Sequence, residues 1–183
     1  DGLGWMKFLR EFGLGGCLAD DMGLGKTNQV LSMLQAERSR RPKKGERRLP
    51  TLIVVPRSLL FNWAEEAAKF TPNLRVLHYL VPLRAEFQEE FLDHDVIVTT
   101  YGIVRRDIEF LIEQSFHYVI LDEAQAIKNH LSQASKSCRL LNGRHRLALT
   151  GTPVENHLGE LWSLFEFLNP GLLGRNEAFM SLA

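Results

Sequence analysis

At 183 residues, with 45% hydrophobic and 24% charged side chains, the chain fits one globular domain with a sizeable core, and its composition argues against disorder. Basic and acidic residues balance at 22 each, so the domain as a whole does not advertise a polyanion-binding surface. No apolar run approaches the ~18 residues of a membrane span, and no basic start followed by a short apolar stretch suggests a secretory signal, although position 1 reads as internal rather than native. Cys17 and Cys138 lack metal-ligand spacing and sit in apolar surroundings, so reduced thiols in a cytosol or nucleus are expected.

The first predicted element is a helix over Leu3 to Phe12, ended by Gly13 to Gly16. A short strand follows at Cys17-Leu18-Ala19, then a helix from Lys26 into the Ser39 region with Val30, Leu31 and Leu34 on one face. Between Arg38 and Arg48 stand seven basic residues (Arg38, Arg40, Arg41, Lys43, Lys44, Arg47 and Arg48) against one acid, Glu46. This is either a solvated loop between buried elements or a local phosphate-contacting stripe. Leu52 to Val55 is a continuous apolar run, as expected of a strand covered on both faces of a parallel sheet. Similar runs recur at Leu74 to Leu77, Val96 to Val98, Tyr118 to Leu121 and Leu147 to Leu149. Helical stretches lie between them, at Leu59 to Phe70, Leu83 to Phe91, Ile103 to Glu113 and Gln133 to Leu141. The βαβα rhythm predicts an α/β fold, a parallel sheet with helices on both faces.

Polar and glycine-rich clusters follow directly on the apolar runs: Asp20 to Thr27, Pro56 to Ser58, Thr99 to Tyr101, Asp122 to Gln125, and Thr150 to Pro153. Ligands of open α/β sheets bind at the carboxyl ends of the strands, so these five clusters should line one rim. The first contains Gly23-Leu24-Gly25-Lys26-Thr27 between a strand and a helix. It matches the end of a phosphate-binding loop, with Asp20 where the pattern has its first glycine. Backbone N–H groups of such a loop and the following helix N-terminus favour a polyphosphate; Lys26 can reach the β- and γ-phosphates, and Thr27 can ligate Mg²⁺. Asp122-Glu123, about a hundred residues on, suits a division of labour in which Asp122 holds Mg²⁺ through its water shell and Glu123 polarises the attacking water. The same two carboxylates also suit a helix N-cap and a first-turn acid. Thr150-Gly151-Thr152-Pro153 is either a phosphate sensor or a tight turn into the next helix.

Together these segments resemble the first lobe of the Swi/Snf-type DNA-dependent ATPases, a branch of the superfamily-two helicases with RecA-like P-loop NTPase domains. The resemblance covers nearly the whole chain. It is carried by Gly4-Trp5, Leu18 to Thr27, Val54-Val55-Pro56, Asn62-Trp63, Thr99-Thr100-Tyr101, Asp122 to Asn129, Leu149 to Asn156 and Glu160 to Leu164. Asp20 in place of the first loop glycine is usual in this family. Gln125 followed by Ala126-Ile127-Lys128-Asn129 looks like the bacterial branch, which implies a cytoplasmic, nucleoid-associated protein, or a nuclear one in a eukaryote.

The resemblance implies that Asp21-Met22-Gly23-Leu24-Gly25-Lys26-Thr27 binds ATP, that Lys26, Asp122 and Glu123 carry catalysis with Glu123 as base, and that Thr27 and Asp122 hold Mg²⁺. It implies that Gln125, Thr150, Gly151 and Thr152 couple nucleotide state to a lobe interface. Pro56, Arg57, Ser58, Thr99, Thr100 and Tyr101 would touch the backbone of double-stranded DNA, contacts that position without reading sequence. Asn28 departs from the family, whose residue there is apolar. The resemblance also implies a glutamine-containing adenine contact before position 1 and a second RecA-like lobe, with its arginine finger, after Ala183. Residues 1–183 would then be a single N-terminal lobe, poor at turnover alone because a missing arginine can lose ~10³ or more in rate. The target is left open among nucleosomes, RNA polymerase, repair intermediates and other DNA-bound proteins. Two other readings stand beside this one: an RNA-dependent helicase lobe, which Gln125 and Asn156 to Leu164 fit poorly, and a non-catalytic nucleotide-binding scaffold, which has no need of Lys26, Thr27, Asp122 and Glu123 together.

Overall fold

The computed structural model describes residues 2–19, 25–39, 48–80, 90–151 and 158–181. Six strands, β1 (Gly16–Ala19), β2 (Thr51–Val55), β3 (Val76–His78), β4 (Val96–Thr100), β5 (Phe116–Leu121) and β6 (Gly143–Thr150), form one sheet in the order β1-β6-β5-β2-β4-β3. Every pairing is parallel. Successive residues of a strand face opposite sides. Leu52, Val54, Ile97, Val119, Leu121 and Ala148 therefore belong to one core, and Ile53, Val55, Val98, Ile120, Leu147 and Leu149 to another.

Helices α1 (Gly2–Glu11), α2 (Lys26–Ser39) and α3 (Leu60–Phe70) close the second core with Met6, Leu9, Val30, Leu31, Met33, Leu34, Leu60, Trp63 and Ala67. The first core is covered by α4 (Tyr101–Arg106), α5 (Ile108–Leu111), α6 (Gln133–Leu140) and α7 (Leu158–Leu168), through Ile103, Val104, Leu111, Cys138, Leu164, Phe167 and Leu168. A short helix α8 (Asn176–Met180) follows. The parallel sheet with helices on both faces is thus observed, because the central strands β2, β4 and β5 are buried along nearly their whole length.

Several predicted boundaries move, each for a local reason. The third strand starts at Val76 rather than Leu74, because Thr71 to Leu74 form a turn (Leu74 N–H to Thr71 O, 2.9 Å) and the Arg75 N–H goes to the Asp95 carboxylate at 2.9 Å. The helix expected over Ile103 to Glu113 starts earlier, where the Thr100 hydroxyl caps it, and breaks at Asp107, whose backbone leaves the helical region (φ −108°, ψ 23°). The Asp107 carboxylate accepts the Tyr79 hydroxyl at 3.1 Å, tying the break to the far strand. β6 begins four residues before its apolar run, since its first half is only half-covered and carries Arg144, His145 and Arg146. The expected helix over Leu83 to Phe91 falls mostly on residues 81–89, outside the described residues, with Phe91–Asp93 forming a 3-10 turn. Positions 40–47 of the basic stretch also lie outside them.

The amino-terminal end of the sheet, away from the rim, carries a titratable cluster. The His117 and His145 rings lie 5.4 Å apart, and both pack on Tyr118 at 4.9 Å. Glu37 of α2 pairs with Arg10 of α1 and approaches His117 Nε2 at 3.7 Å. Burial, then the neighbouring His117 and Arg10, depress His145 from 6.5 to about 4. A histidine depressed in the fold gains a proton on unfolding. Stability present above pH 6.5 is therefore lost as pH falls through the window down to about 4. Replacing His145 by Phe keeps the ring contacts and should flatten the decline of melting temperature across that window. Unchanged pH dependence would rule His145 out as its source.

Candidate functional site

The strand register sets which chemistry meets on the rim. Ala19 pairs with Thr150, Leu121 with Ala148 and Val54, and Val55 with Thr100, so β1, β6, β5, β2 and β4 all end at one edge. Along it lie, in order, the end of β1 at Ala19, then Thr150-Gly151, Asp122 to Gln125, Pro56 to Ser58, and Thr99 to Tyr101. Asp20, Asp21, Met22, Gly23, Leu24 and Thr152 lie outside the described residues.

Gly25 adopts φ +74°, a left-handed conformation that favours glycine, and its carbonyl accepts the Gln29 N–H at 3.0 Å to open α2. The first N–H groups of this fourteen-residue helix have no intrahelical acceptors and face the rim, an arrangement suited to anions. Lys26 lies close enough for its charge to act on Asp122, so the loop lysine and the acid motif share one space. Asn28, on the first turn, has its side-chain oxygen buried without a hydrogen-bond partner among the described residues. Nothing in the structure explains it.

Asp122 ends β5 and is 6% exposed. Its Oδ2 accepts the indole N–H of Trp63 at 2.7 Å, and its Oδ1 accepts the Glu123 N–H at 2.9 Å. Burial pushes the carboxyl above the ordinary range, while the Trp63 and Glu123 hydrogen bonds and the Lys26 charge oppose that rise. A carboxylate and a hydroxyl, from Asp122 and Thr27, are hard oxygen donors of the kind Mg²⁺ takes. Both Asp122 oxygens accept N–H groups, which partly offsets the cost of burying its charge.

Glu123 is the one non-glycine residue with positive φ (48°) among those described. Such a conformation costs ~1–3 kcal/mol and persists where the surroundings hold it. The Gln125 amide donates to Glu123 Oε2 at 2.6 Å, and the Gln125 oxygen accepts the Thr150 hydroxyl at 3.1 Å. A continuous polar chain thus runs from the end of β6 to the second acid, bringing Thr150, Gln125 and Glu123 together. The following 3-10 turn, Ala124–Ile127, is bolted to α7, where the Ser163 hydroxyl donates to the Ile127 carbonyl at 2.5 Å.

The segments expected to meet DNA divide. Arg57 and Ser58 are exposed in a 3-10 turn that starts after half-buried Pro56. Thr100 is half-buried and caps α4, its hydroxyl oxygen accepting the Ile103 N–H at 3.4 Å. Thr99 is fully buried and donates its hydroxyl to the Tyr79 carbonyl at 2.8 Å, leaving no face for a ligand. Tyr101 turns inward as well: its hydroxyl donates to the Asp122 carbonyl at 2.7 Å, and burial raises its pKa well above 10.0. Asn62-Trp63 carries part of the family resemblance, but nothing in the sequence alone gives Trp63 a part in the site. The available signal was a tryptophan on the buried face of a helix, whose N–H needs a partner.

The sequence model of the SNF2-related domain matches residues 1–183. Among solved structures, the Sulfolobus solfataricus SWI2/SNF2 ATPase core in complex with double-stranded DNA superposes with a TM-score of 0.88 at 42% identity, covering 98% of this chain and 36% of that one. Among curated relatives, the putative ATP-dependent helicase/translocase YwqA of Bacillus subtilis is 44% identical over 182 residues, 97% of this chain and 19% of that protein. The TATA-binding protein-associated factor MOT1 of Saccharomyces cerevisiae is 39% identical over 188 residues, 98% of this chain and 10% of that protein. The chain therefore spans less than a fifth of the length of these curated relatives. No helix among the described residues is long and apolar enough to cross a membrane.

Proposed function

We propose that this chain, which belongs to the SNF2-related domain family, is the ATP-binding lobe of a motor that moves along double-stranded DNA and remodels the protein–DNA complexes it meets. The observation that carries the proposal is the shared rim, where Lys26 acts on Asp122 while the exposed Arg57 and Ser58 stand at the end of the adjacent strand. The 42% identity to a core solved with double-stranded DNA supports duplex as the track.

In this reading Gly25, Lys26, Thr27 and the preceding loop hold the ATP phosphates, with the α2 N–H groups and the Lys26 ammonium meeting their negative charge. Mg²⁺, when bound by Thr27 and Asp122, neutralises charge on the phosphate oxygens. Glu123 orients the attacking water and accepts its proton as the water oxygen bonds to the γ-phosphorus and the bond to the β-phosphate oxygen breaks, releasing ADP. Gln125 links that carboxylate to Thr150, so a change at the phosphate reaches β6 and the segment beyond it. Arg57 and Ser58 meet the DNA backbone without reading bases. A second lobe supplies the arginine that completes phosphoryl transfer, which is why we assign residues 1–183 weak turnover alone. A reducing interior, the bacterial cytoplasm or a nucleus, suits its two free thiols.

Translocation is testable by displacement of a third strand. The full-length protein should strip a triplex-forming oligonucleotide from duplex DNA only with ATP, and Lys26→Ala should not. ATP-independent stripping, or none by the wild type despite ATP turnover, would contradict a moving motor.

A further inference from the structure

We propose that Trp63 is a positioning residue for the nucleotide site, and that with Tyr101 it ties the segments following β2 and β4 to the acidic turn. The idea rests on the functional reading above for its direction of signalling, but its geometry stands apart from it. Trp63 lies on α3, four residues after the turn Arg57–Leu59, and is 1% exposed. Its N–H is spent on the Asp122 carboxylate at 2.7 Å. Tyr101 opens α4 directly after Thr99-Thr100, and its hydroxyl reaches the Asp122 main-chain carbonyl at 2.7 Å. β2 lies between β5 and β4, so Tyr101 spans the end of the intervening strand to make that bond.

One residue is therefore gripped twice, at its side chain from the β2 segment and at its backbone from the β4 segment. The carbonyl that Tyr101 holds begins the peptide leading to Glu123, whose φ of 48° needs external support. The remaining Asp122 oxygen is fixed by the Glu123 N–H at 2.9 Å. A small displacement of α3 or α4, as when Arg57 and Ser58 meet phosphates, cannot leave Asp122 still and must turn the peptide that carries Glu123. The rim would thus read duplex contact through two hydrogen bonds.

The test uses the full-length protein, with Trp63→Phe, which deletes the N–H and keeps an aromatic ring, and Tyr101→Phe, which deletes one oxygen. Leu60→Val, on α3 and in the same core as Trp63, serves as a packing control. Two quantities are read: the Mg²⁺ concentration that half-saturates binding of a fluorescent ATP analogue, and the ratio of ATP turnover with and without duplex. Trp63→Phe should raise the first by about tenfold or more, as loss of a partner behind a metal-binding carboxylate does. Tyr101→Phe should lower the second about fivefold, the scale of one buried hydrogen bond. Leu60→Val should leave both at wild-type values. Wild-type Mg²⁺ dependence and duplex stimulation in both variants would overturn the proposal, as would equal changes in Leu60→Val. If Trp63→Phe fails to fold, Tyr101→Phe decides through the turnover ratio. If the wild type shows no duplex stimulation, the DNA reading fails on its own, and the Mg²⁺ readout still decides Trp63.

Discussion

Glu123→Gln in the full-length protein should bind ATP with near wild-type affinity and hydrolyse it ~10²–10⁴-fold more slowly, the range that a general base contributes. The substitution keeps the side-chain shape and the oxygen that Gln125 contacts at 2.6 Å, so the turn and its left-handed backbone remain in place. What disappears is the charge that takes a proton from water. Binding of a fluorescent nucleotide and steady-state phosphate release, both measured with saturating duplex, separate these two effects. Normal hydrolysis by Glu123→Gln would remove it from the mechanism and shift the role to another group on the rim.

The second large effect concerns the scaffold behind the site. Arg146 on β6 donates to the Phe167 carbonyl at 2.7 Å, to Leu141 at 2.8 Å and to Arg139 at 3.2 Å, with its guanidinium 5.0 Å from the Phe167 ring centre. One side chain thereby satisfies carbonyls at the ends of both α6 and α7. Arg146→Met keeps the length of the stem and strands all three acceptors, costing about 3 kcal/mol or more. For a domain of this size that lowers the melting temperature by roughly 6–12 °C. A thermal melt followed by circular dichroism checks it. A shift within a degree or two would mean that water satisfies the carbonyls and that the clamp adds little.

The strands were legible because a doubly covered strand must be apolar on both sides, and Leu52 to Val55 and Tyr118 to Leu121 are. Their carboxyl ends then placed Lys26, Asp122, Gln125 and Thr150 on one rim, since parallel strands all finish at the same edge. What a linear reading misses is where side-chain tips meet. Trp63 lies 59 positions from Asp122 and Tyr101 lies 21. Only the order β5-β2-β4 brings them to one residue, Trp63 at its carboxylate and Tyr101 at its main-chain carbonyl. Thr99 reads as a polar rim residue, yet strand alternation turns its hydroxyl into the protein toward the Tyr79 carbonyl. Asp107 breaks a helix that periodicity runs straight through, because its bond to Tyr79 is a tertiary contact invisible to local pattern. The bonds of Arg146 are invisible for the same reason: three backbone carbonyls leave no trace in residue identity.

The central claim, an ATPase lobe driven by duplex, is tested most directly by steady-state ATP turnover of the full-length protein with no nucleic acid, with duplex DNA and with RNA at matched nucleotide concentration. Strong stimulation by duplex, weak stimulation by RNA and none in Lys26→Ala are predicted. Stimulation by RNA alone would contradict the account.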